Sequence, residues 1–117
     1  MNYNLTVSTY ESDDLLFKNI TTCKIEDNFL TFHTDNDNIR INRQNFNFIK
    51  ENLETIFKIN LQECVLTLKE VNQNVNIPIE YINYIDANNK ILIEYKLISQ
   101  ENPLKIELEI GSEQNEI

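Results

Sequence analysis

Glycine is almost missing: one residue among 117, at position 111, with no tryptophan, one histidine, two cysteines and two prolines. Each shortage excludes a chemistry. With Gly111 near the C-terminal end, no glycine-rich phosphate loop can be written. Cys23 and Cys64 stand apart, with no His or second Cys at metal-ligand spacing, so neither a zinc site nor any other metal is expected. Cations are scarce as well. Ten Lys and Arg stand against 19 Asp and Glu, and the net charge of −9 argues against direct contact with nucleic acid, whose phosphates are bound mainly by cations. Long apolar runs are absent too. The segment Met1 to Val7 has neither a basic region nor an apolar stretch, and nothing later approaches the roughly 18 apolar residues of a membrane span. The expectation is a cytoplasmic protein with reduced thiols and no membrane contact.

What the chain does have is alternation. Leu104-Lys105-Ile106-Glu107-Leu108-Glu109-Ile110 reads as a strand with Leu104, Ile106, Leu108 and Ile110 buried and Lys105, Glu107 and Glu109 wet. The same period recurs in 3–9, 39–41, 75–81 and 91–97, filled with Ile, Val, Tyr and Thr, the residues that suit a pleated, half-buried surface. With glycine unavailable, turns fall to Asn and Asp, which tolerate left-handed backbone. Asp27-Asn28, 35–38, 72–74, 86–89 and 100–103 are the candidates. Many strands joined by short turns make an antiparallel meander, and closure into a β-barrel hides its edges. Pro78 lacks a donor N–H and belongs at an edge or a bulge. Hydrophobic residues make up 41% of the chain, enough for one core at this length. The domain is placed at 1–110, with a flexible polar tail at 111–117.

One segment reads two ways. Between Asn45 and Phe57, Phe46, Ile49, Leu53, Ile56 and Phe57 share a helical face with Asn45 as cap, which would make the fold α+β with one helix at 45–57. In period 2, Phe46 and Phe48 form a strand, Lys50-Glu51-Asn52 a turn, and the residues around Ile56 and Lys58 the next strand.

Tests for chemistry identify no catalytic residue. A calcium loop opening at Asp35-x-Asp37 needs Gly sixth and Glu twelfth, where Arg40 and Phe46 stand. A two-residue turn at Asp27-Asn28 sets Cys23 opposite Phe32, so Cys23, Ile25, Leu30 and Phe32 share one face and His33 the other, with Lys24 and Thr31. A Cys–His dyad is therefore not expected. The acidic residues are spread along several strands instead of paired. Tyr81, Tyr84, Tyr95, Phe17, Phe29, Phe32, Phe46, Phe48 and Phe57 either line a barrel cavity or fill it.

The ending Lys90-Ile91-Leu92-Ile93-Glu94-Tyr95-Lys96-Leu97, a short loop, and Asn102-Pro103-Leu104-Lys105-Ile106-Glu107-Leu108-Glu109-Ile110 resembles the terminal hairpin of the YwiB-like family, small bacterial proteins of unknown function with a calycin-like β-barrel. The segment from Phe46 to Phe57 is similar to that family's strand, basic turn and returning strand. The resemblance implies a hairpin there and a mainly β fold, and it carries no catalytic residues. The resulting expectation is a non-enzymatic barrel without cofactor, binding a small apolar ligand or a protein partner through residues the pattern does not identify. The alternative is an acidic inhibitor or immunity-type protein of a mobile element that mimics nucleic acid and blocks a basic site.

Overall fold

The computed structural model describes residues 1–114, which form eleven strands and no helix. The strands are β1 (Asn2–Glu11), β2 (Asp14–Glu26), β3 (Phe29–His33), β4 (Asn38–Asn42), β5 (Asn47–Glu51) and β6 (Thr55–Asn60). They continue through β7 (Cys64–Leu68), β8 (Gln73–Asn76), β9 (Ile79–Asp86), β10 (Lys90–Leu97) and β11 (Leu104–Glu113). All belong to one antiparallel sheet in the order β8-β7-β6-β5-β4-β3-β2-β1-β11-β10-β9. The edge strands β8 and β9 are consecutive in the chain, joined only by Ile77-Pro78. Laid flat, the edges of eleven strands would stand roughly 48 Å apart at the usual strand spacing. Three peptide steps from Asn76 to Ile79 reach roughly 11 Å at most. The sheet therefore curls into a barrel-like form with one face turned in.

At the join the backbone reaches both ends of the sheet. Ile77 N–H donates to the Cys64 carbonyl on β7 at 2.9 Å, and the Pro78 carbonyl accepts from Ile98 N–H, just beyond β10, at 3.0 Å. Pro78 thus lies between two edge strands, where its missing donor costs no ladder bond. It divides the single 75–81 strand read from the pattern into β8 and β9.

Turn chemistry follows the shortage of glycine. Of the four described residues with positive φ, three are Asp or Asn: Asp27 at 53°, Asn72 at 49° and Asn88 at 64°, with Ser12 at 52°. A second device recurs in successive hairpins. Asn42, Asn52 and Asn60 each turn a side-chain oxygen onto two backbone N–H groups just ahead, Gln44 and Asn45, Glu54 and Thr55, Gln62 and Glu63, at 2.8–3.3 Å. Such a bond reverses the chain without left-handed backbone. It also decides the 45–57 segment. Asn52 holds a turn between β5 and β6, so there is no helix, and Leu53, placed on the apolar helical face, is 96% exposed at the turn. Lys50 and Glu51 belong to β5 and not to the turn.

Inward side chains form cross-strand rows. Ile25, Leu30, Ile41, Phe48, Ile59 and Cys64 run in register from β2 to β7, and Val7, Leu108 and Ile91 run from β1 to β10. Leu108 is fully buried, with Leu104, Ile106 and Ile110 packed against the core. Outside, Glu109 is exposed, while Lys105 and Glu107 are half-buried and less wet than alternation implies. β11 also runs past Ile110 to Glu113, where a flexible tail was expected, because Tyr3 pairs with Glu113 across a bulge. Gly111 sits in that bulge, where a Cβ would meet the Cβ of Asn4 at 3.2 Å. Residues 115–117 of the expected tail lie outside the described residues. Leu108→Ala should lower stability by about 3 kcal/mol through lost burial and a cavity. Glu109→Gln should change it by less than about 0.5 kcal/mol, as urea unfolding of the pair can check.

Candidate functional site

The two ends of the curled sheet differ. At one, the β4–β5 turn is clasped to the end of β9. Arg43 donates from Nε to Asp86 Oδ2 at 2.8 Å, and from Nη2 to Asp86 Oδ1 and the Asn88 carbonyl, both at 2.7 Å. Tyr84 Oη donates toward the Arg43 carbonyl at 3.3 Å or Asp86 Oδ2 at 3.2 Å, and its ring stacks on Phe46 at 4.4 Å between centroids. Hydrogen bonds from Arg43 hold the Asp86 carboxyl below its ordinary value, while burial pushes the Tyr84 phenol up to about 12. Perturbed groups in a cluster often mark catalysis. Here they satisfy one another and close one end of the barrel.

The other end is open. A cavity of about 410 Å³ enters between the β3–β4 loop and the β1–β2 ribbon. Its walls are inward residues of several strands: Val7 and Thr9 on β1, Phe32 on β3, Ile39 on β4, Phe48 on β5, and Leu104 and Ile106 on β11. Tyr95 of β10 also lines it, and Phe57 of β6 lies 6.0 Å from Tyr95 and 6.4 Å from Phe48 between ring centroids. These three rings stop the cavity against the filled core. Leu16 and Phe17 form a lip at the entrance, 57% and 45% exposed, on a stretch of β2 that pairs with β1 alone. A bulge there sets Thr9 beside Phe17 but Tyr10 beside Leu15, leaving Leu16 as the extra residue. Thr34, Asp35, Asn36 and Asp37 make the polar rim, and Lys50 is the cation in the wall.

A second depression, about 370 Å³, lies on the outer wall over β3 to β7. Arg40 and Lys58 face it with asparagines, and the Arg40 guanidinium lies 4.0 Å from the Phe29 ring centroid. Phe29, Ile49 and Val65 share its lining with Arg40, Lys58, Glu63 and three asparagines, so it offers an apolar molecule a more mixed surface than the end cavity does.

The aromatic candidates therefore separate. Phe17, Phe32, Phe48 and Tyr95 line the cavity and Phe57 backs it, whereas Phe46 and Tyr84 belong to the clasp, Phe29 to the outer wall and Tyr81 to the outer side of β9. Lys50, read as a turn residue, was missed; continuing the alternation from Phe48 would have turned it inward. Cys23 and His33 lie on opposite faces: Cys23 pairs with Phe32 in the core, while His33 is exposed and hydrogen-bonded to the Asn38 side chain. Burial raises both thiols, Cys64 to about 11. In the 35–38 loop, Asp37 N–H donates to Thr34 Oγ1 at 3.2 Å, a hairpin contact, and Phe46 is core. Among the described residues no three His, Cys, Asp or Glu come together in a way that could hold a metal. No helix there is long and apolar enough to cross a membrane.

Two outcomes follow. Because the native Asp86 carboxyl titrates below its unfolded value of about 3.8, its stabilisation is complete above that pH and is lost as pH falls through the native value. Asp86→Asn should cost about 2 kcal/mol at pH 7, leaving Arg43 without its carboxylate, and should flatten the acid limb of a stability–pH curve. Cys64 should alkylate at least about tenfold more slowly in native protein than in urea, since the reactive species is an exposed thiolate.

Comparison with family models, curated proteins and solved structures finds no match to this chain.

Proposed function

We propose that this chain is a non-enzymatic, cytoplasmic binding protein that takes a small apolar ligand into the open end of its barrel. The observation that carries the reading is the cavity itself: about 410 Å³ walled by Val7, Phe32, Ile39, Phe48, Tyr95 and Ile106, with Thr9 and Lys50 as polar groups in the walls and the rest at the rim. A concave apolar site of a few hundred Å³ with a small number of polar groups is the usual form of a small-molecule site. The calycin-like, bacterial YwiB-like resemblance belongs to the same reading; the segments that carry it form the β5–β6 and β10–β11 hairpins.

The acidic-mimic alternative has less behind it. Glu80 is paired with Lys96 at 2.9 Å, Glu94 stands opposite Lys105 and Glu109 opposite Lys90. Acids and lysines alternate across that outer wall, so it offers no continuous acidic surface to a basic partner.

Isothermal titration with decanol tests the proposal. Binding should show a negative heat-capacity change and little dependence on salt, since the driving force is apolar burial. Thr9→Trp, which fills the cavity from β1, should weaken it at least about tenfold, more than 1.4 kcal/mol, with the melting temperature monitored alongside. Undiminished binding in a folded Thr9→Trp variant would place the ligand elsewhere.

A further inference from the structure

We infer that the ligand is an amphipathic monoanion, an apolar body with a carboxylate-type head, and that Lys50 receives the head; this rests on the cavity being the binding site. Lys50 faces inward by register, opposite Ile39 of β4 and Phe57 of β6 and two residues after the buried Phe48. Its Nζ lies 5.8 Å from the Phe57 ring centroid, at the aromatic group that stops the cavity. Of the other lysines, Lys24, Lys69 and Lys96 each meet a carboxylate within 4.0 Å, Lys18, Lys58 and Lys90 are exposed, and Lys105 stands on the outer wall opposite Glu94. Lys50 has no ion-pair partner among the described residues, although it is half-buried.

Neither rim carboxylate forms an ion pair with it. Asp37 accepts from the Asn52 side-chain amide at 3.1 Å, and Asp35 is exposed to solvent. A cation on an apolar wall has surrendered part of its hydration, and an aromatic ring restores only a fraction of that loss. An anionic head recovers the rest through a charge-assisted hydrogen bond, which gains strength where water is excluded. The apolar body then lies against Phe48, Tyr95 and Ile106. A neutral ligand would leave the ammonium uncompensated, and a cationic one would be repelled by it. Lys50 therefore sets specificity, while the apolar wall supplies most of the affinity.

The test holds the tail constant and changes the head, comparing decanoate, decanol and decyltrimethylammonium by isothermal titration against wild type, Lys50→Met and Lys50→Arg. Decanoate should bind wild type about tenfold more tightly than decanol, and decyltrimethylammonium most weakly. Lys50→Met should abolish the advantage of decanoate over decanol, and Lys50→Arg should retain it. If all three bind alike, or if decanoate keeps its advantage in Lys50→Met, the role of Lys50 is overturned and the apolar cavity stands. If the cationic amphiphile binds best, Asp35 and Asp37 are the recognising groups and the inference fails. If none of the three binds, the cavity reading falls and this inference with it.

Discussion

A single covalent constraint shapes this molecule: the two edges of its sheet are neighbours in the chain. Ile77-Pro78 ties β8 to β9 across a distance that a flat eleven-stranded sheet would make several times too long. Twist alone would leave such a sheet open, with two edges able to pair with other chains. The join forces one face inward instead. It makes the alternation of each strand consequential, since inward residues of strands far apart in the sheet meet, as Phe57 of β6 meets Tyr95 of β10.

With one face enclosed, the ends of the barrel decide what it can do. The Arg43–Asp86 pair and the Phe46–Tyr84 stack hold the β4–β5 turn against β9 and close one end. Its side chains, 18% and 22% exposed, are sheltered enough for the bidentate geometry to count for more than a surface pair would. At the other end no comparable clasp exists among the described residues, and the Phe48, Phe57 and Tyr95 rings form a floor instead of a plug. A closed end and an open one make a cup. On the wall of β9 to β11, Glu80, Glu94 and Glu109 stay outside, spaced by lysines, where they keep the surface wet.

Much of this was legible in the residues themselves. The alternating runs marked the strands, and Asp27-Asn28 set the β2–β3 register that puts Cys23 opposite Phe32, because a two-residue turn leaves one pairing that keeps both apolar sets on the same side. The scarcity of glycine announced turns built from Asn and Asp. Less legible was the 45–57 segment, where the apolar spacing fits two periods; the Asn52 side-chain bond to Glu54 and Thr55 separates them, and a pattern of hydrophobicity carries no such bond. The reach of β11 to Glu113 escaped for a related reason, since polar residues there pair through their backbones with β1.

The sequence by itself determined the class of structure, its inward and outward faces and the kinds of turn, all consequences of side-chain period and local backbone preference. Only the tertiary structure decided which aromatics line the cavity and which lock the far end, because Phe48 and Phe46 differ in sequence by two positions but in space by the side of the core they meet. The same holds for Lys50. Its neighbours in the chain are Ile49 and Glu51, but the residues that give its charge meaning are Ile39, Phe57 and the cavity beyond, brought there by strand pairing and by the curl that pairing alone does not impose.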